Sequence, residues 1–366
     1  MSLLRALSPV GTSLFAAFVG LLGGAVVMLI WGYNPVEAYG ALFGGVFGGL
    51  FDSRLGNEWG IYDTLGSATP LILTGLTFAI GIRGGVFNIG AEGQVYAGAV
   101  AAAAASLAAF SVLPPGIHHL LAIAFGMAAG ALWSLPVSLL KVTRGVHEVI
   151  STIMLNRIAL FVGMYLVTNF LANPDKAYQS IKAAGSAQFP AVMPGTSLTY
   201  AVVIPVIVAV IVLYLLSRTT FGYELRVVGF NPTAAKYAGM KETKTINATF
   251  WLGGMTAGLA GALMIIGGPP SYALSTDMTT VANIGFNGIG VALIGRNHPI
   301  GVVFAALFFA ALNVGGLTMQ ISSEVPQEMV QVIQGIIILV LAAPELTHIL
   351  RGLIRGRRSK ADEEAD

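Results

Sequence analysis

The sequence predicts an all-α, polytopic membrane protein with about ten transmembrane helices, both termini in the cytoplasm, and an inverted repeat. Three observations predict it. The composition is too apolar for a water-exposed surface, the chain contains about ten runs of spanning character, and the basic residues sort by side. Hydrophobic residues make up 55% of the chain and charged residues 10%, where a soluble domain carries about 25% charged residues. Mean hydropathy is +0.79. A surface with so few charges is solvated most simply by lipid.

A helix that crosses the hydrocarbon core needs about 20 mostly apolar residues. Candidate runs fall at 10–32, 64–82, 88–110, 118–140, 149–172, 199–217, 246–268, 280–296, 299–319 and 328–350. The first is long enough to span and lacks a small-residue cleavage site, so it reads as a retained helix. The third and eighth contain Gly and Asn and are the weakest by hydropathy; either is a candidate for a broken or partly re-entrant helix. The apolar stretch Gly40–Phe51 is too short to span and is expected to lie flat or to pack on the bundle.

Lys and Arg concentrate in short cytoplasmic loops. With ten spans, Arg54, Lys176 and Lys182 lie on one side, Arg157 lies inside a span, and the rest of the 19 basic residues lie on the side of the N-terminus. Adding or dropping a span scrambles that partition. The domain reading is therefore one transmembrane domain, residues 1–350, with a long cytoplasmic loop at about 218–245. A charged cytoplasmic tail, 351–366, follows and is read as a positive-inside anchor with an acidic end.

The chain has no cysteine, which excludes disulfides, thiolate metal sites and cysteine nucleophiles. None of the five histidines stands at a zinc-ligand spacing with a carboxylate, so no metal site is expected. His118-His119 reads as a membrane-interface pair. Gly126-x-x-x-Gly130 and Gly254-x-x-x-Gly258 put small residues on one helix face, which lets helix backbones approach closely.

Polar groups at membrane depth normally face a bundle interior or an aqueous cavity. Asn88, Glu92 and Tyr96 follow an i, i+4, i+8 spacing, with Gly84 and Gly85 before them to supply a turn. Glu92 then lies in the first turns of a helix, where the helix dipole favours a carboxylate. Its side chain lines a gate or path, or is a structural carboxylate held by backbone amides of a neighbouring helix. Glu148, Thr152 and Asn156 form a second stripe, Asn283 and Asn287 a third, and Gln327, Gln331 and Gln334 a fourth. Arg157 sits about 13 Å along its helix, so that it snorkels to the inner face or pairs inside. Phe87–Gln94 resembles Phe286–Gly290, and an offset of five spans between them is the inverted repeat. Convergent amides suit a polar, uncharged, hydroxyl-bearing solute better than an ion.

In the 218–245 loop, Asn231 is suited to cap a helix, Pro232 to its first position and Gly239 to its stop. A short helix at about 232–238 with exposed small residues is expected, fit for docking into a groove of a partner. Here the chain resembles a known family. FGYELRVVGFNPTAAKYAGM (221–240) is similar to the coupling-helix region of binding-protein-dependent ABC transporter permeases, in the branch that includes ribose, other simple-sugar, branched-chain amino acid and nucleoside permeases. RGGVFNIGAEGQ (83–94) and GVHEVISTIMLN (145–156) resemble motifs of the nucleoside and simple-sugar group, and the likeness runs from about 64 to 345. The chain departs from that pattern at His147, where Asn is more usual, and at Arg157, where an uncharged aromatic is. Ribose-type permeases usually carry Asp-Leu-Ser in place of Asn88-Ile89-Gly90, which tilts the likeness toward nucleosides.

The resemblance implies a permease subunit of an importer in a bacterial cytoplasmic (inner) membrane, moving a nucleoside or simple sugar. It implies a separate ATPase, which uses ATP and Mg, a second identical or different permease, and an extracytoplasmic substrate-binding lipoprotein. No cofactor of its own and no nucleic-acid partner are expected, and no Gly-x-x-x-x-Gly-Lys-[Ser/Thr] phosphate cradle occurs. The docking residues it implies are Asn231, Pro232, Ala234, Ala235 and Gly239, and the path residues Asn88, Glu92, Gln94, Asn156 and Asn287. A gradient-driven secondary transporter is the rival reading. A membrane-embedded enzyme is disfavoured, because His147-Glu148 is the one adjacent pair and adjacent helix positions do not face each other.

Overall fold

A computed structural model describes residues 2–51, 59–107, 110 and 112–341. Arg54, the end of the tenth run and the 351–366 tail lie outside the described residues. The chain divides into two units, residues 1–43 with 316–366, and residues 44–315.

In the first unit, α1 (Ser2–Ile30) ends where Gly32 turns at φ +85° and the Tyr33 N–H reaches back to the Met28 carbonyl at 2.9 Å. The Asn34 side chain then accepts the Val36 N–H at 3.1 Å and starts α2 (Pro35–Phe51), which continues into the second unit. The Tyr39 hydroxyl donates to the Leu21 carbonyl at 2.5 Å. Gly23 and Gly24 seat against Ile336 and Ile333 of the last helix described.

The second unit is built around α3 (Gly60–Arg83) and α10 (Glu242–Ile266). Both are buried over most of their length, and they pack on one another. A helix apolar on every side belongs in the middle of a bundle. Around them stand α4 (Ala91–Ala105), α5 (Pro115–Arg144) and α6 (Glu148–Phe170). α7 (Val203–Arg218), α8 (Thr220–Phe230), α9 (Pro232–Tyr237), α11 (Ile284–Ile294) and α12 (Pro299–Ser323) follow. α13 (Glu328–Leu341), which ends the described chain, belongs to the first unit. The outward faces of α5 and α7 carry Leu120, Phe125, Leu132, Val206, Val210 and Ile211, as a lipid solvent requires.

The two sequence motifs of paired glycines face each other. A side-chain carbon on Gly130 would collide with the Gly254 carbonyl, and one on Gly258 with the Gly126 carbonyl. α5 and α10 therefore cross backbone to backbone, which gives a weak sequence signal a definite structural use.

Each of the ten expected runs contains a helix among its described residues. Among the described residues, seven helices are long and apolar enough to cross a membrane. The third and eighth runs are the shortened ones, as their composition suggests: α4 has 15 residues and α11 has 11, roughly 22 and 16 Å at 1.5 Å per residue against a core of about 30 Å. Their packing is reciprocal. α4 lies on α10, and α11 lies on α3, which is the exchange expected if α3–α4 and α10–α11 are related repeats.

Between α6 and α7 a hairpin of β1 (Ala172–Asn173) and β2 (Lys176–Ser180) ties to the loop after α10 through the Ser180 N–H and the Leu274 carbonyl at 2.7 Å. His118 corrects its interface reading. It is fully buried, 2.8 Å from the Ser186 hydroxyl and 3.0 Å from the Ala105 carbonyl. It fastens α5 to the segment before it and to the 185–187 turn.

Candidate functional site

After α3 the chain turns at Gly85, φ +73°, and runs non-helically through Phe87-Asn88-Ile89 to α4. Asn88 therefore precedes the helix, and its expected stripe with Glu92 and Tyr96 is corrected: only the latter two share a helix face. The Asn88 side chain instead accepts the Gly90 N–H at 3.1 Å, closing a local turn of the kind asparagine favours. It also pairs with Gln94, amide to amide, with both bonds at 3.3 Å. Both residues are about 1% exposed.

Glu92 is 2% exposed and fully occupied. One carboxylate oxygen accepts the Tyr96 hydroxyl at 2.7 Å and the Asn283 N–H at 2.5 Å. The other accepts the N–H groups of Gly285 at 2.7 Å and Phe286 at 3.3 Å. The first N–H groups of a helix lack intrahelical partners and carry partial positive charge. The carboxylate in the first turn of α4 thus supplies the missing acceptors for the start of α11. Gly285 permits the approach, because a side-chain carbon there would strike the Glu92 backbone.

The second stripe cradles the same segment from α6. Asn156 accepts the Gly93 N–H at 2.9 Å and donates to the Ile89 carbonyl at 3.0 Å. Glu148 accepts the Phe87 N–H at 3.2 Å with one oxygen and pairs with the Lys141 ammonium at 2.7 Å with the other. Thr152 turns inward and donates to the Glu148 carbonyl at 2.7 Å. Asn88, Glu92, Gln94 and Asn156 therefore converge on the entry to α4. Asn287 stands apart on α11, half-buried, one turn beyond the exposed Asn283.

Sequence reasoning offered Glu92 as a carboxylate held by backbone amides of a neighbouring helix, as it is, but missed that Gly285 and Phe286 supply them, since nothing in a residue's identity marks an N–H left over at a helix start. It also missed Thr77, whose hydroxyl meets the Thr256 hydroxyl at 2.7 Å between α3 and α10. Hydropathy patterning absorbs threonine without a signal.

The short helix after α8 forms as expected. Asn231 accepts the Ala234 N–H at 3.0 Å, Pro232 opens α9, and Gly239 ends the turn at φ +79°. Asn231, Pro232, Ala234 and Gly239 are exposed. Ala235 corrects the expectation of exposed small residues: it is 0% exposed and faces the body. Phe230 and Tyr237, 94% and 90% exposed, frame the outward face instead.

Cavities open on this unit among its described residues. One of about 470 Å³ is lined by apolar atoms from α4, α5 and α6, including Val100, Leu132, Gly163 and Phe170. Another of about 220 Å³ is lined by residues that include Ser67, Thr69, Ser197, Thr199, Ser271 and Thr280. No group of three or more His, Asp or Glu side chains suited to a metal ion occurs among the described residues.

A family model described as branched-chain amino acid transport system / permease component matches residues 60–342. The chain is 36% identical to the guanosine ABC transporter permease protein NupP of Bacillus subtilis, over 96% of this chain and 99% of that one. It is 33% identical to the nucleoside ABC transporter permease protein NupB of Lactococcus lactis, over 96% and 94%. To the glucose ABC transporter permease protein TsgB13 of Haloferax volcanii it is 31% identical, over 97% and 93%.

Proposed function

This chain belongs to the branched-chain amino acid transport system / permease component family, and from that premise we propose that it is the nucleoside-translocating permease of an ATP-driven importer. It is a multi-pass membrane subunit, not an enzyme, and the ATPase is a separate subunit. The preference for nucleosides over simple sugars rests on near full-length similarity to guanosine and nucleoside permeases. The glucose permease of similar coverage keeps sugars as the second reading.

One observation carries the mechanism. The starts of two shortened helices, α4 and α11, meet at the Glu92 carboxylate. Shortened helices whose non-helical ends line a cavity are how transporters place polar groups at membrane depth without exposing backbone to lipid. Asn88, Gln94 and Asn156 brace that junction, and Glu92 and Asn287 border the path. The exposed face of α9, with Asn231, Pro232, Ala234 and Gly239, docks the ATPase, and Ala235 seats α9 on the body. ATP hydrolysis with Mg at the ATPase drives alternation between inward-open and outward-open states. A second permease, identical or different, completes the pore in the bacterial inner membrane, and an extracytoplasmic binding lipoprotein delivers the solute.

The test is purification from native membranes in mild detergent, with co-purifying proteins identified by mass spectrometry, followed by nucleoside uptake with and without ATP. Recovery of an ATPase and a binding protein, with ATP-dependent uptake, supports the proposal. Uptake that needs no ATPase and collapses with an ionophore replaces it with a gradient-driven carrier.

A further inference from the structure

Two buried hydroxyls stand apart from the rest. Thr69 on α3 and Thr199 just before α7 are 7% and 3% exposed. The Thr69 hydroxyl reaches the Leu65 carbonyl only at 3.5 Å, and the Thr199 hydroxyl the Gly267 carbonyl only at 3.4 Å. Both distances lie beyond the roughly 2.5–3.0 Å of a good O–H···O bond. Every other buried serine or threonine hydroxyl among the described residues has a partner at 3.2 Å or closer. A buried hydroxyl short of a partner is costly, so two in one place point to an occupant that completes them.

Both residues line the 220 Å³ cavity. Ser67 lines it too, and its hydroxyl has no partner among the described residues. No lining residue is charged, and Pro70, Leu263 and Met264 supply apolar wall. The volume is far above the ~15 Å³ that one water needs and below the roughly 300 Å³ at which drug-sized pockets begin. It suits one small ring. α10 starts beside α9 and runs 25 residues, about 37 Å, to end at this cavity. The cavity therefore opens on the face opposite the ATPase-docking helix, where the binding lipoprotein presents solute. Thr280, which also lines it, stands shortly before Asn283, whose N–H rests on Glu92.

We infer that this cavity is an entry subsite for an uncharged ring with adjacent hydroxyls, the ribose of a nucleoside; this rests on the nucleoside reading. A ribose hydroxyl donates and accepts, as a threonine hydroxyl does. The 2′ and 3′ hydroxyls complete Thr69 and Thr199, the C–H face of the ring lies on Leu263 and Met264, and the base stays outside the cavity.

The chain has no cysteine, so Ser67→Cys gives it a single thiol in the cavity, and Ser271→Cys at the exposed rim is a second reporter. In the assembled transporter a methanethiosulfonate should label either thiol. Inosine and methyl β-ribofuranoside should protect it, and 2′,3′-dideoxyinosine should not. Thr69→Val with Thr199→Val should raise the half-protecting inosine concentration about tenfold and leave melting unchanged. Thr64→Val, which removes a bond of 2.7 Å on the same helix, should lower melting and keep half-protection within about twofold. Two unlabelled reporters, or labelling that none of the three compounds prevents, overturn the proposal; in the latter case water is the occupant. Equal protection by dideoxyinosine overturns the hydroxyl reading. Protection by methyl β-ribofuranoside without protection by inosine overturns the nucleoside reading and leaves the ring subsite standing.

Discussion

Glu92 and Asn283 are 191 positions apart, yet a carboxylate oxygen of the first accepts the backbone N–H of the second at 2.5 Å. The bond joins the entrance of α4 to the entrance of α11. It makes one side chain responsible for the geometry of two interrupted helices.

Replacing Glu92 with Gln keeps the shape and reverses one hydrogen-bonding role. The amide nitrogen would have to face either the Asn283 N–H or the N–H pair of Gly285 and Phe286, donor against donor. A buried donor left without an acceptor costs about 1–3 kcal/mol. The variant is expected to melt at lower temperature in detergent and to lose nucleoside uptake. A variant with wild-type melting and wild-type uptake would show that the carboxylate serves neither the junction nor the path.

The α5–α10 crossing leaves no room for a side chain. Gly130→Val should destabilise the protein by about 1–3 kcal/mol through overpacking, read as loss of monodisperse material in detergent. Gly116→Val is the control: nothing lies within 4 Å of a side-chain carbon there. Equal accumulation of the two variants would argue against the close crossing.

Which features could be read from the sequence follows from the range of the forces involved. Asn231, Pro232 and Gly239 mark α9 because capping and φ preferences act within a few residues. The ten runs and the weak third and eighth are visible because burial in lipid acts on every residue of a span. The partner of Asn88 was not visible: spacing alone puts Asn88 on a helix with Glu92, but its short amide satisfies the Gly90 N–H first and starts the helix later. The burial of Ala235 was also hidden, since a six-residue helix of small residues has no apolar stripe to say which side faces the body. The opposed glycine pairs were visible singly and not as partners.

Ala235 and its neighbour give a sharper test of docking than either alone. Ala234→Arg places a charge on the exposed face and should leave insertion and melting unchanged while uptake and stimulated ATP hydrolysis fall. Ala235→Arg puts a charge where no water reaches and should reduce accumulation in the membrane. If Ala234→Arg transports normally, the outward face of α9 is not the ATPase contact.

Lys141 and Glu148 bridge the end of α5 and the start of α6 at 2.7 Å, with side chains 22% and 9% exposed, and Glu148 also holds the Phe87 N–H. Lys141→Met leaves a largely buried carboxylate with one backbone donor. Glu148→Gln keeps an acceptor for Phe87 and removes the charge that Lys141 neutralises. Removing one partner of such a pair is worse than removing both, because the survivor is an uncompensated charge. The double variant should therefore be more stable than Lys141→Met alone, with a coupling between the two sites of about 0.5–3 kcal/mol in thermal or denaturant unfolding. Additive losses would mean that the pair is a surface contact of little weight. The segment from Phe87 to α4 would then be held by Asn156 and Glu92 without help from α5.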